Sequence, residues 1–326
     1  MKRRRSLGLF ACAFLIISLV DQISAQIRAT EKPFLWRIEG QVPSYLYGTV
    51  HVPDPRVLEL PEVVRRALNA SDVFNAEIPL DGATQLSMMS KIMLPPGQDL
   101  RSVVGEDVFA RVTRVVGKVL GSGAPPGAAD VLAMMLAPMK PWAVMSQVEL
   151  LEFLPDISAG RQPLDAMLYG MAGKAGKELG ALETLDEQIA VFEGFTKEEQ
   201  VKMLVSALDD LEKPRPGGVS PARELVDLYL TGDLNRLAAE MNKQYPNDQA
   251  LNRKMITRVV DDRNTKMAEK IAELCAKKPA KSHFFAVGAL HYAGDTGIVS
   301  QLTRKGFKVT RLGPNDATSI VRKPAA

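Results

Sequence analysis

The sequence predicts an α/β fold of the α+β-like kind: a central mixed sheet built from the two ends of the chain, with a large helical insert between them. Strand-like apolar runs cluster in residues 33–80 and 284–312. Between them, over about 83–280, apolar positions recur at helical spacing. Most telling, two of the chain's three histidines close octapeptides of one pattern, Ser44-Tyr-Leu-Tyr-Gly-Thr-Val-His51 and Phe284-Phe-Ala-Val-Gly-Ala-Leu-His291. Each is an apolar run turning into Gly-x-x-His. Matching strand ends at opposite ends of the chain suggest one site built by both halves of the fold.

The first element is not structural. Met1-Lys-Arg-Arg-Arg5 precedes an apolar run over Leu7–Val20 and a small-residue exit at Ser24-Ala25. That is the layout of a secretory signal peptide, and the run falls short of the roughly 20 residues of a membrane-spanning helix. Residues 1–25 are therefore expected to be an export signal, with 26–326 a single exported domain, periplasmic or secreted, and no stable membrane span after cleavage. An uncleaved N-terminal anchor is the rival reading. Without residues 1–25 the chain has 37 basic and 37 acidic residues. That balance removes the electrostatic argument for nucleic-acid binding, which wants clustered positive charge, and no nucleic-acid partner is expected. Cys275 is then the only cysteine, so no intramolecular disulfide can form.

Pro33–Gly40 and Ser44–Tyr47 flank a short turn, as a hairpin does. A helix over Leu60–Ala70 and a strand at Val73–Pro79 follow, giving a strand–helix–strand unit. In the insert, Asp186–Phe192, Lys197–Leu211, Ala222–Leu230, Leu234–Met241 and Met255–Leu274 have helical periodicity, and Thr196-Lys-Glu-Glu199 has the form of a capping box. Lys213–Pro221 reads as a loop. Met88, Met89, Met93, Met134, Met135, Met139 and Met145 crowd the insert. They read as core filler or helix-packing surface, with an adaptable peptide groove as the alternative. At the far end, strand, helix around Gly297–Lys305 and strand Phe307–Leu312 repeat the opening arrangement.

Residues three apart on a strand face opposite ways, so His51 should lie just past its strand, where open α/β sheets bind ligands. If the two octapeptides form parallel neighbours, His51 and His291 meet at one rim. Glu77 ends another strand before Ile78-Pro79, and a carboxylate there needs a partner. Two histidines and a carboxylate form the minimal ligand set of a catalytic divalent ion; satisfied structural residues are the plain alternative. Arg263 and Asn264, in Asp261-Asp-Arg-Asn264, could face the same rim, with the arginine orienting a carboxylate or steadying an oxyanion. Glu183 and Glu187 are spaced so that one could turn toward a partner. His283 should begin its strand at the opposite end, away from any chemistry.

Tyr45–His51, Asn75-Ala-Glu77, Leu182–Gln188, Asp262-Arg-Asn264 and Val287–His291 together resemble the TraB/GumN family, over about Phe34 to Leu312. The family includes TIKI-type metalloproteases and proteins implicated in blocking peptide pheromones, and is similar to erythromycin-esterase-like and ChaN-like folds. The resemblance implies His51, Glu77 and His291 as the core of the site, with Arg263 and Asn264 beside them; Asp262 departs from the glutamate expected before the arginine. The expectation is an exported metal-dependent hydrolase acting on a peptide or protein. His51, His291 and Glu77 would hold Mn, Co or Zn, and Glu77 could instead be the general base. A non-enzymatic, TraB-type peptide-binding or inhibitory protein and a metal-free, esterase-like hydrolase are the alternatives.

Overall fold

In the computed structural model, which describes residues 32–121, 125–213, 220–245 and 247–320, Pro43 ends a tight reversal between β1 (Leu35–Ile38) and β2 (Ser44–Thr49). The two strands pair antiparallel as a hairpin, Leu35 opposite Tyr47. With β3 (Val73–Ala76), β4 (Glu178–Ala181), β5 (His283–Gly288) and β6 (Val309–Leu312) they form one six-stranded mixed sheet in the order β4-β3-β5-β2-β1-β6. β1 is antiparallel to both neighbours. β4, β3, β5 and β2 run parallel, so their C-terminal ends share a rim.

β2, β3 and β5 are buried along their whole length, as interior parallel strands covered on both faces should be. Their side chains, among them Tyr45, Tyr47, Phe74, Phe284 and Phe285, join Phe34, Leu68, Ile271 and Leu302 in the main core. Gly48 is required by packing rather than by its own dihedral angles. A Cβ there would stand 2.7 Å from Phe34 Cβ, closer than real Cβ atoms come, while Gly48 N–H donates to the Phe34 carbonyl at 2.7 Å.

The insert has a core of its own, in which Val112, Val144, Val148, Met203, Leu204 and Leu208 are fully buried. Its helices begin where side chains can satisfy free amides. Thr196 and Glu199 form the expected capping box, and Thr184 with Glu187 forms another. Helices at Lys197–Glu212, Pro221–Leu230 and Leu234–Met241 fall within a residue or two of the sequence reading.

Three expectations need correcting. The sheet is not built from the chain ends alone, because β4 comes from the middle of the insert and pairs with β3. The expected Met255–Leu274 helix is two helices, Gln249–Ile256 and Asp262–Lys277, joined by a π-helical turn at Thr257–Asp261. That wider turn rotates the start of the second helix, a common device near functional sites. Finally, Met89, Met134 and Met135 are exposed rather than core filler, whereas Met145 is buried. Residues 1–25, read as an export signal, and residues 214–219 of the loop lie outside the described residues. No helix among the described residues is long and apolar enough to cross a membrane.

Candidate active site

The two Gly-x-x-His motifs end neighbouring parallel strands, with Thr49 opposite Gly288 in the β2–β5 register. His51 follows β2 in a bend, and His291 lies in a 3₁₀ turn, Ala289–Tyr292, directly after β5. β3, on the other side of β5, ends one residue before Glu77. His51 Nε2 stands 3.8 Å from Glu77 Oε1. A Cβ placed on Gly288 would lie 3.3 Å from Glu77 Oε1, 3.4 Å from His51 Nε2 and 3.6 Å from His291 Cδ2. The three side chains thus face one small space above Gly288, which a glycine keeps open.

The second motif's glycine also supplies a donor: its N–H gives a 2.7 Å hydrogen bond to Glu77 Oε1. Glu77 Oε2 accepts from Arg263 Nη2 at 2.6 Å and from Gln188 Nε2 at 3.3 Å. Arg263, buried near the start of the helix that follows the π turn, also donates to both oxygens of buried Glu183. Its Nη1 gives hydrogen bonds to Val259 O and to His291 Nε2, each at 3.2 Å. A guanidinium can only donate, so His291 Nε2 is an acceptor. Its Nδ1–H then donates to Asn264 Oδ1 at 2.7 Å. Burial holds His291 down at about 3, so the ring is neutral near pH 7.

His51 is held from the other side. Its Nδ1 lies 2.7 Å from Asp165 Oδ2, and the second oxygen of Asp165 accepts from Thr49 Oγ1 at 2.5 Å. The Asp165 carboxylate raises His51 to about 9, against a smaller opposing effect of desolvation. The ring's side chain is 63% exposed, so solvent screens part of that attraction. Glu77 is the reverse case. Burial alone would raise it, but the neighbouring His291, His51 and Arg263 and the Gly288 N–H together hold its carboxyl well below the usual range. With His291 neutral, the charged His51, Arg263 and that N–H sustain the effect. Glu183, by contrast, is raised by burial, which Arg263 only partly offsets.

The structure therefore brings His51, Glu77, His291, Arg263 and Asn264 to one rim, and it leaves His283 at the opposite end of β5, bonded to Asn75. Asp165, Glu183 and Gln188 complete the network. Asp165 carried no signal as a site residue, because an acidic residue in the first turn of a helix, here Leu164–Lys174, is ordinary.

The donor chemistry fits a divalent cation. Asp165 and Asn264 occupy both Nδ1 positions, which is how partners orient ligating imidazoles, and both Nε2 atoms face inward. A gap of 3.8 Å between His51 Nε2 and Glu77 Oε1 is within the span of two atoms sharing an ion at about 2.1 Å each. Asp165, Glu77 and Glu183 against Arg263 and the charged His51 leave one excess negative charge beside the neutral His291 ring. The cage is not closed, however: among the described residues no three His, Cys, Asp or Glu side chains stand together at ligating positions. Arg263 Nη1 moreover donates to His291 Nε2.

A mixed sheet whose parallel strand ends carry two histidines and a carboxylate to one rim defines an α/β protein with a candidate site at that rim. Residues 34–311 match the TraB/PrgY/gumN family, and the chain belongs to that family. It is similar to Metalloprotease TIKI2 of Danio rerio, 27% identical over 94% of this chain and 67% of that protein. Metalloprotease TIKI1 of Xenopus tropicalis is 30% identical over 85% of this chain and 61% of its own length. Metalloprotease TIKI1 of Homo sapiens is 28% identical over 85% and 61% respectively. The chain thus spans 61% to 67% of the length of these relatives. No solved structure matches it.

Proposed function

We propose that this chain is an exported, metal-dependent peptidase, folded as one domain, whose centre is the space above Gly288. His51 and His291 would hold a divalent ion, Mn, Co or Zn, through Nε2, with Glu77 as the third ligand. The observation that carries the reading is the convergence of these three side chains on one point from three parallel strand ends. The relatives' name, metalloprotease, supports both the ion and a protein substrate.

A divalent ion bound here supplies Lewis acidity toward a scissile carbonyl. The chain's own groups do the rest. Asp165 fixes the His51 ring and Asn264 the His291 ring, so neither Nε2 must be ordered during binding. For His291 Nε2 to hold an ion, Arg263 Nη1 would have to release it; bonded still to Glu183, Arg263 would then have Nη1 free to donate to an oxyanion. Glu77 is better suited to ligation than to proton transfer, because both its oxygens already accept hydrogen bonds and its basicity is low.

A second reading has its own support. Without an ion, Asp165–His51 is an oriented carboxylate–imidazole pair whose Nε2 faces Glu77, the arrangement of a general base once the ring has lost its proton, and Arg263 is already in place. Cleavage of a peptide library by tag-free protein, with Mn, Co or Zn and after chelation, decides between them. The metal reading expects cleavage lost on chelation and in folded His51→Ala and His291→Ala. Cleavage that survives chelation but not the histidine variants supports the second reading. A protein that binds peptide without cleaving it, through chelation and both variants, is a binder and refutes both.

A further inference from the structure

β4 is a terminal strand of the sheet, paired on one side only, with β3. Its hydrogen bonds show which way each backbone unit faces. Glu178 N–H donates to Asp72 O and Leu182 N–H to Ala76 O. Parallel strands alternate, so the amide and carbonyl of Leu179 and Ala181 point away from the sheet, where no described strand meets them. Ala181 also lines a cavity of about 590 Å³, walled opposite by Lys266, Glu269 and Lys270 of the Asp262–Lys277 helix. That volume suits a ligand site. The cavity borders the candidate centre: Glu183, in its lining, donates its N–H to Glu77 O at 2.8 Å and bonds Arg263, which bonds Glu77.

The other sheet edge differs. Arg311 of β6 is bonded across to Gly232 O, and β6 is three strands from β5. The beginning of β4 is guarded as well, by Glu178 paired with Lys278 and Lys281, a charged defence typical of sheet edges. The end of β4 that leads to the rim, Gly180 and Ala181, is half-buried and carries no charged side chain.

We propose that the substrate docks as an extended peptide along the outer edge of β4, adding a strand to the sheet and filling the cavity. The inference rests on the peptidase reading and deepens it. Backbone amides give affinity in this mode and alternate side chains give selectivity. Docked there, the peptide lies two strand spacings, about 10 Å, from Glu77. About three extended residues therefore separate the paired segment from the scissile bond. The substrate class follows: an unfolded or loop segment able to become a strand, not a helix or a compact surface.

The test uses the full chain, loaded with metal, and a peptide that it cleaves. Single backbone amides of the peptide are N-methylated in turn. The proposal expects KM to rise roughly tenfold, the worth of one lost hydrogen bond, at alternate positions on one side of the scissile bond, starting about three residues from it. Ala181→Pro, which removes an outward N–H, should raise KM by a similar factor with kcat nearly unchanged. If Ala181→Pro does not fold, the methylation series still decides. Cleavage with no two-residue periodicity overturns the docking mode and leaves the peptidase reading standing. Failure to cleave any peptide overturns both.

Discussion

Gly288→Ala places one methyl group in the space on which the candidate centre converges. The backbone tolerates it, because Gly288 sits at φ −49° and ψ 134°, a conformation open to alanine, and its N–H can still reach Glu77. The new Cβ would be 3.3 Å from Glu77 Oε1 and 3.4 Å from His51 Nε2, so those side chains need give only a few tenths of an ångström. Replacing glycine restricts the unfolded chain and stabilises by about 0.4–1 kcal/mol, which offsets the crowding. The melting temperature should therefore stay within about 4 °C of wild type. Function should not survive as well. The methyl fills the point that an ion or a reacting atom must occupy, and misplacement by an ångström costs about 100-fold. Circular dichroism on heating, metal titration and peptide cleavage read the three quantities. A Gly288→Ala protein that binds metal and cleaves like wild type would refute the reasoning.

Asp165→Asn removes the carboxylate that keeps His51 charged. In metal-free protein the His51 ring should titrate near pH 9 in wild type and toward 6.5 in the variant, followed by its NMR shifts. The sign is that of a raised base: the Asp165–His51 contribution to stability is full below about pH 6.5 and is lost as pH rises through 9. Metal affinity should fall about 10- to 100-fold, as for other lost orienting partners. Glu183→Ala leaves buried Arg263 with Glu77 as its one carboxylate partner, and chemical denaturation should show a loss of about 1.5–3 kcal/mol, that of hydrogen bonds to a charged group; a loss below about 0.5 kcal/mol, the least that a neutral hydrogen bond contributes, contradicts the network. Burial pushes the Cys275 thiol up to about 11, so alkylation should be slow at pH 7 and accelerate only in strong base; rapid labelling at pH 7 contradicts that burial.

Much of the site was legible because histidine is so scarce. Two matching octapeptides located His51 and His291, and the parallel β2–β5 pairing joined them. Glu77 was legible as a carboxylate at a strand end before Pro79. What escaped has physical reasons. Glu178-Leu-Gly-Ala181 is four residues long, has no alternation and contains a glycine, so nothing local marks it as a strand; pairing with β3 makes it one. Asp165 comes to His51 only through tertiary packing, where Leu164 N–H donates to Val52 O at 3.3 Å. The π turn at Thr257–Asp261 is invisible to a 3.6-residue period, yet it sets the start of the helix that carries Arg263 and Asn264. Met134 and Met135 escaped in the other direction, since apolar composition suggested burial that the fold does not provide.

Metal stoichiometry of tag-free protein, measured by elemental analysis after equilibration with Mn, Co or Zn, tests the central claim most directly. One ion per wild-type chain, and essentially none in His51→Ala, His291→Ala or Glu77→Gln proteins that melt normally, is the predicted result. Wild-type protein that takes up no ion, or variants that keep it, would contradict a centre shared by the two ends of the chain.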